Sequence, residues 1–332
     1  MHYVGIDLHK RDLVMAVEDD RGPVGKPRRI ACRDEAAIVK AFRKLRPFRA
    51  VIEASSSYRW LYDLLEPLGT VVLAHPLKLR AIVTARAKTD KLDAALLARL
   101  LRAGLVPASY VPPQPYQVLR EVTRARARLV RCATLAKNQM HYLLASRNRH
   151  PPYRNVFSKA GRVWLARQDL GVGGNLIRDE LVRRLDYFDR ERLALDDHLA
   201  TWWETFPEAG AVKDLYGFGL YSALLVVAEI AESERFGDAR QVGAWAGLTA
   251  RVHQSGGHAY HGRISKQGSR WLRWILVQAA VKVVRKDRAL GNFYRRVRRR
   301  SGRNAARVAV ARKLAGICWV RLKRWHAERA AV

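Results

Sequence analysis

Tyr3-Val4-Gly5-Ile6-Asp7-Leu8-His9-Lys10 is the stretch whose reading decides the fold. Val4, Ile6 and Leu8 alternate with Tyr3, Gly5 and Asp7, the period of a β-strand with one apolar side. Asp7 then points away from that side, among small or aromatic neighbours. A carboxylate placed there needs a cation, a hydrogen-bond donor or water. Outward from this strand, strand-like runs continue at Asp12–Glu18, Arg28–Cys32, Ala50–Glu53 and Thr70–Ala74. Helical patterns cover Asp34–Leu45, Tyr58–Leu68 and Asp90–Ala103, with Asp34 and Thr89 as N-cap candidates. A meander followed by β-α-β units predicts an α/β domain, a mixed sheet with helices on both faces.

The Pro-rich stretch Pro107 to Pro115 marks a boundary. It predicts an N-terminal α/β domain over 1–106, a basic helical hairpin over 107–206 and a mostly α-helical domain over 207–332. Within the hairpin, Val118–Leu144 and Leu176–Trp203 read as antiparallel partners, with Gly171-Val172-Gly173-Gly174 as a break between them. The third region holds a helix, the turn Gly217-Phe218-Gly219 and an apolar helix. Such a turn lets backbone N–H groups at a helix start approach a DNA phosphate; it also serves as an ordinary tight connection. A helix over 239–247, a loop of small and polar residues over Thr249–Gly262 and a helix over 269–287 follow.

Lys and Arg outnumber Asp and Glu by 62 to 30 among 332 residues, a formal charge of +32. A surface so charged repels itself unless it meets a polyanion, and nucleic acid is the first candidate. No 18-residue apolar run exists and the N-terminus lacks a signal peptide's apolar core, which speaks against a membrane. Cys32, Cys132 and Cys318 lack metal-ligand spacing, which argues against a zinc finger or a disulfide framework and for a cytoplasmic protein.

In so basic a chain the acids beside apolar strands stand out. Glu53 ends the strand Ala50–Glu53, and Asp90 and Asp93 share one face at a helix start. With Asp7 they offer four carboxylates able to converge at one sheet edge, a donor set suited to one or two Mg²⁺ ions. Two such ions about 4 Å apart activate a nucleophile and stabilise the leaving oxygen at a phosphodiester. The opening Gly5-Ile6-Asp7 also suits an actin-like or sugar-kinase ATPase. That fold needs Gly-rich phosphate loops, and none occurs in the first 110 residues.

Gly5-Ile6-Asp7-Leu8-His9-Lys10, Ile52-Glu53-Ala54-Ser55 and Lys88-Thr89-Asp90-Lys91-Leu92-Asp93-Ala94 together resemble the RuvC-like, RNase H-fold DEDD domain of the insertion sequence 110 family of transposases. Further on, Leu215-Tyr216-Gly217-Phe218-Gly219, Ala246-Gly247-Leu248-Thr249, Ser255-Gly256-Gly257 and Ile264-Ser265-Lys266-Gln267-Gly268-Ser269-Arg270 resemble the family's transposase domain, in the same order. Tyr216 and Ala250 stand where the family commonly has proline, both in loops.

The resemblance implies a recombinase that cuts and rejoins donor and target DNA, guided by a structured bridge RNA. It implies Mg²⁺ at Asp7, Glu53, Asp90 and Asp93, and a serine nucleophile, Ser255, forming a covalent phosphoserine link to DNA. It implies phosphate contacts at Lys266, Arg270 and Arg273, and a homodimer, or a tetramer in the synaptic complex. The alternative is a hydrolytic nuclease of junction-resolvase type, using the four acids and water.

Overall fold

The computed structural model describes the chain except residues 56, 83–88, 256–257 and 331–332, and gives backbone only for 252–255 and 258–261. The chain divides into two compact units, Met1–Val111 and Pro112–Val332.

The first unit runs β1 (His2–Leu8), β2 (Asp12–Asp19), β3 (Gly22–Pro23), β4 (Arg28–Ala31), α1 (Glu35–Arg43), β5 (Phe48–Glu53), α2 (Arg59–Leu65), β6 (Thr70–Ala74), α3 (Pro76–Ile82) and α4 (Asp90–Arg102). The strands form one mixed sheet in the order β3-β2-β1-β5-β6, with β4 also paired to β2. β1 lies antiparallel to β2 and parallel to β5, and β5 is parallel to β6. β1 is therefore central, as its apolar alternation requires. Val4 and Ile6 pack with Leu13, Ile52 and the α1 and α2 residues Ile38, Phe42, Leu61 and Leu65. On the opposite face Val51 and Ala74 meet Leu97 and Leu101 of α4, while Val14 and Ala16 meet Ala94. Both predicted caps form: Asp34 Oδ1 accepts from the Ala37 N–H at 2.9 Å and Thr89 Oγ1 from that of Leu92 at 3.3 Å.

The second unit runs α5 (Gln114–Ala145), α6 (Lys159–Ala166), α7 (Gly171–Thr201), α8 (Ala209–Lys213), α9 (Leu220–Ile230), α10 (Ala239–Trp245), β7 (Ala250–Ser255), β8 (His258–Ile264), α11 (Arg270–Val283) and α12 (Arg288–Ala330), which kinks at Gly302. The expected helical hairpin is present: Ala136, Met140 and Leu144 of α5 pack against Leu181 and Leu185 of α7. A larger core gathers α9, α11 and α12.

Two sequence expectations change. Gly171–Gly174 is no break, since α7 begins at Gly171 and runs through it. Gly174 is buried where a Cβ would lie 2.7 Å from both Arg147 and Leu170, so close packing selects glycine there. The loop read at Thr249–Gly262 contains instead the antiparallel pair β7 and β8, with Ser255 opposite His258. Exactly two residues of sequence, Gly256 and Gly257, separate that pair, a two-residue hairpin spacing hidden by polar composition.

Candidate metal centre and serine hairpin

α4 lies unusually close to β1, and the reason is a missing side chain. A Cβ on Gly5 would sit 2.0 Å from the Ala94 carbonyl oxygen and 2.4 Å from the Ala98 nitrogen. Further along α4, Arg102 pairs with the buried Glu18 of β2 at 2.9 Å. This close approach brings the first turn of α4, carrying Asp90 and Asp93, alongside the end of β1 and Asp7.

At that edge His9 Nε2 lies 3.1 Å from Asp7 Oδ2 and 3.4 Å from Asp90 Oδ1. One ligand atom each from Asp7, His9 and Asp90 lies within 4.8 Å of the others. Burial lifts the Asp7 carboxyl above its usual range, and the charges of Asp90 and Asp93 lift it further while His9 opposes them. Asp90 is held below the usual range, first by its hydrogen bond from Arg29 Nη2 at 2.6 Å. Arg29 also pairs with Asp12 through Nη1.

Glu53 follows Ile52, the β5 partner of Ile6, and so ends the strand beside Asp7; it is exposed and outside the 4.8 Å group. Asp93 is close enough for its charge to act on Asp7 but also lies outside that group. The structure thus brings Asp7 and Asp90 together directly and adds His9, Arg29 and Asp12, to which the sequence reading gave no role. His9 stands two residues after Asp7, a spacing visible in the motif. Arg29 and Asp12 become neighbours through the β2–β4 register, where Arg29 opposite Val14 lies next to Asp12 on the same face.

The donor set fits a divalent cation. Burial, and after it the charges of Asp90 and Asp93, disfavour an ionised Asp7, a positive ion offsets both, and hard oxygens favour Mg²⁺ or Mn²⁺.

In the second unit Ser255 ends β7, and its side chain lies outside the described residues, as do Gly256 and Gly257 altogether. Lys88 of the DEDD motif is likewise outside them. Lys266 is exposed with φ of 55°. Arg270 stacks over Trp271 at 4.6 Å. Arg273 Nη1 donates to the carbonyls of Ala246 at 2.9 Å and Lys266 at 3.4 Å, shaping the loop before α11. Gly217 has φ of 97°, a conformation glycine adopts without strain, and the Gly219 N–H donates to Ser222 Oγ at 2.7 Å. Beneath the loop, buried Glu229 accepts both Nε and Nη2 of Arg124 at 2.7 and 2.8 Å and the Ser269 hydroxyl at 2.9 Å.

Residues 4–148 match the DEDD transposase family model of insertion sequence IS110, and residues 209–295 match that of the transposase IS116/IS110/IS902 family. Together they cover well over half of the chain. A probable family 20 transposase of Pseudomonas aeruginosa is 29% identical over 97% of this chain and 96% of its own length. The transposase for insertion sequence element IS1111A of Coxiella burnetii is 26% identical over 98% of this chain and 91% of its own. That for element IS1328 of Yersinia enterocolitica is 26% identical over 96% and 95%. A mixed α/β unit with an acidic edge, two matched models in order and relatives aligned nearly end to end lead to one assignment: the chain belongs to the IS116/IS110/IS902 family of transposases, whose general activity is the cutting and rejoining of DNA.

Proposed function

We propose that the chain is a DNA recombinase of an insertion sequence, with a RuvC-like, RNase H-like first unit and a serine nucleophile in its second. The observation that carries the reading is the meeting of Asp7 and Asp90 across the β1–α4 contact, with Asp93 near enough to act on Asp7. The sheet order, with the antiparallel meander of β2, β3 and β4 on one side of β1 and the parallel strands β5 and β6 on the other, supports the RNase H-like description. Asp7, Glu53, Asp90 and Asp93 would hold Mg²⁺, and His9 would orient Asp7. A divalent ion bound there supplies charge stabilisation at the scissile phosphate.

The remaining chemistry belongs to the chain itself. Ser255 Oγ attacks phosphorus; the Oγ–P bond forms and the strand's P–O bond breaks. The serine proton leaves to solvent or a base, and the leaving oxygen takes one up. Attack by a DNA hydroxyl on the phosphoserine reverses the step and joins strands without an outside energy source. Lys266 and Arg270 would hold phosphates near the break, Arg273 would contact the strand while shaping the loop, and the Gly217–Gly219 turn would approach the backbone. A structured bridge RNA would select donor and target DNA. Val172, Leu176 and Ile177, all exposed on α7, offer an apolar patch for a homodimer.

The experiment incubates the full chain with DNA carrying an element end, RNA transcribed from the element's non-coding end and Mg²⁺, and looks for a protein–DNA adduct that survives denaturation. The wild type gives the adduct, Ser255→Ala gives neither adduct nor cleavage, and Asp7→Asn gives neither. Cleavage persisting in Ser255→Ala but lost in Asp7→Asn would make the chain a hydrolytic nuclease of junction-resolvase type instead.

A further inference from the structure

The second unit carries a groove of about 1370 Å³ that none of the chemistry above uses in full. It exceeds the roughly 300–1,000 Å³ of a pocket for one small ligand. Its walls come from α10, β8 and, above all, the part of α12 after the kink at Gly302. That part of α12 lies beyond residue 295, where the second family match ends.

The floor is apolar. Leu248 and Leu290 are buried at its base, and Phe293, Val308, Ile317 and Val320 line it. Val320 is 48% exposed although apolar, and it lines the groove. The rim is cationic: among the described residues seven Lys and Arg side chains line the groove, and no Asp or Glu does. Arg312, Lys313, Arg321 and Arg324 of α12 supply four of them, and none of these four pairs with a carboxylate among the described residues. Lys313 Nζ stands 4.2 Å over the Phe293 ring, so cation and aromatic face share one spot.

An apolar floor under an unpaired cationic rim selects its occupant. A duplex would use the rim only, because its bases are stacked inside. A single strand offers phosphates to the rim and free base faces to the floor, the pairing by which single-strand binders work. Among the described lining residues Asn304 is the only neutral side chain that carries a hydrogen-bonding group. No described neutral side chain other than Asn304 is there to read an RNA 2′-hydroxyl, and the reading of the chain as a DNA recombinase supplies a deoxyribose strand. We propose that the groove between α10, β8 and the distal part of α12 seats an unpaired stretch of DNA strand next to the serine hairpin. The inference rests on the reading of the chain as a DNA recombinase and adds where the opened strand is held.

The test measures binding by the full chain in chelator, so that no cleavage intervenes. The probe is a labelled oligodeoxynucleotide of about 15 nucleotides, alone, as a duplex, and as RNA of the same sequence. The variant Arg312→Ser/Arg324→Ser should bind the single DNA strand about tenfold more weakly. Its slope of log affinity against log salt should fall by about 1.4, at ~0.7 for each lost phosphate contact. Val320→Ser should weaken binding a few-fold with the slope unchanged. Arg128→Ser/Arg131→Ser, two exposed α5 positions carrying the same change of charge, should cost less than twofold. An equal loss in that control, or an equal loss for the duplex or for RNA, would overturn the proposal. Because binding is read without metal, its outcome is separate from cleavage: Asp7→Asn retaining cleavage would sink the catalytic reading alone, and wild-type binding by the groove variants would sink the groove alone.

Discussion

Burial raises the Asp7 carboxyl above its ordinary range, and Asp90 and Asp93 add to that push against the pull of His9. The proton on Asp7 is therefore held more tightly in the folded chain than in the unfolded one. Its contribution to stability is full below the unfolded value of 3.8 and is lost as pH rises through the folded pKa. Without metal, ionised Asp7 is a cost at neutral pH that Asp7→Asn removes. Thermal unfolding in chelator should show Asp7→Asn melting above the wild type at pH 7, with the gap closing once the pH falls below 3.8. In saturating Mn²⁺ the order should reverse, because only the wild type gains binding energy; at a hundredfold excess over Kd that gain is about 2.7 kcal/mol. A gap independent of pH would show that burial and the neighbouring charges do not raise the Asp7 carboxyl in the folded chain. At this scale the sequence was informative about acids and poor about their counter-ions. Asp7 is conspicuous as a lone carboxylate in an apolar alternation. Arg29 is one arginine among many, and its place beside Asp90 depends on strand register and on the docking of α4, neither of which local pattern specifies.

The element that makes the site is α4, and Gly5 sets its distance from the sheet. Gly5→Ala puts a methyl group 2.0 Å from a helix carbonyl, where backbone must move. The expected loss is about 1–3 kcal/mol of stability, read by urea unfolding, with divalent-ion affinity falling in parallel because Asp90 and Asp93 ride on the displaced helix. Loss of stability with metal affinity intact would separate α4 from the site. The order of most strands and helices in the first unit was legible because those elements have a clean period and caps at Asp34 and Thr89, whereas the two-residue β3 and the short α3 went unread. The β7–β8 hairpin was not. Its strands are short and polar, and the pairing of Ser255 with His258 is not specified by their local pattern. In the second unit, α5, α9 and α11 are tied through Glu229, which is fully buried. Glu229→Gln should destabilise that unit by about 3 kcal/mol, the low end for breaking a buried pair, since Arg124 keeps some access to water. Calorimetry that resolves the two units should place the loss in the second; an unchanged melting curve would contradict the tie.

Across the whole molecule the +32 charge is the feature that composition showed at once and that every scale below uses. It concentrates polyanions at the surface without selecting sequence. No described helix is long and apolar enough to cross a membrane. Against that cationic background stand the acids gathered beside Asp7 at the end of β1, which under the proposed function hold a divalent ion for DNA strand cleavage. The most direct measurement is Mn²⁺ binding, read by electron paramagnetic resonance, on wild type, Asp7→Asn and Asp90→Asn, with cleavage of element-end DNA followed in the same samples. The account predicts that both variants lose at least tenfold in Mn²⁺ affinity and lose cleavage with it. Wild-type Mn²⁺ binding and undiminished cleavage in Asp7→Asn would contradict it.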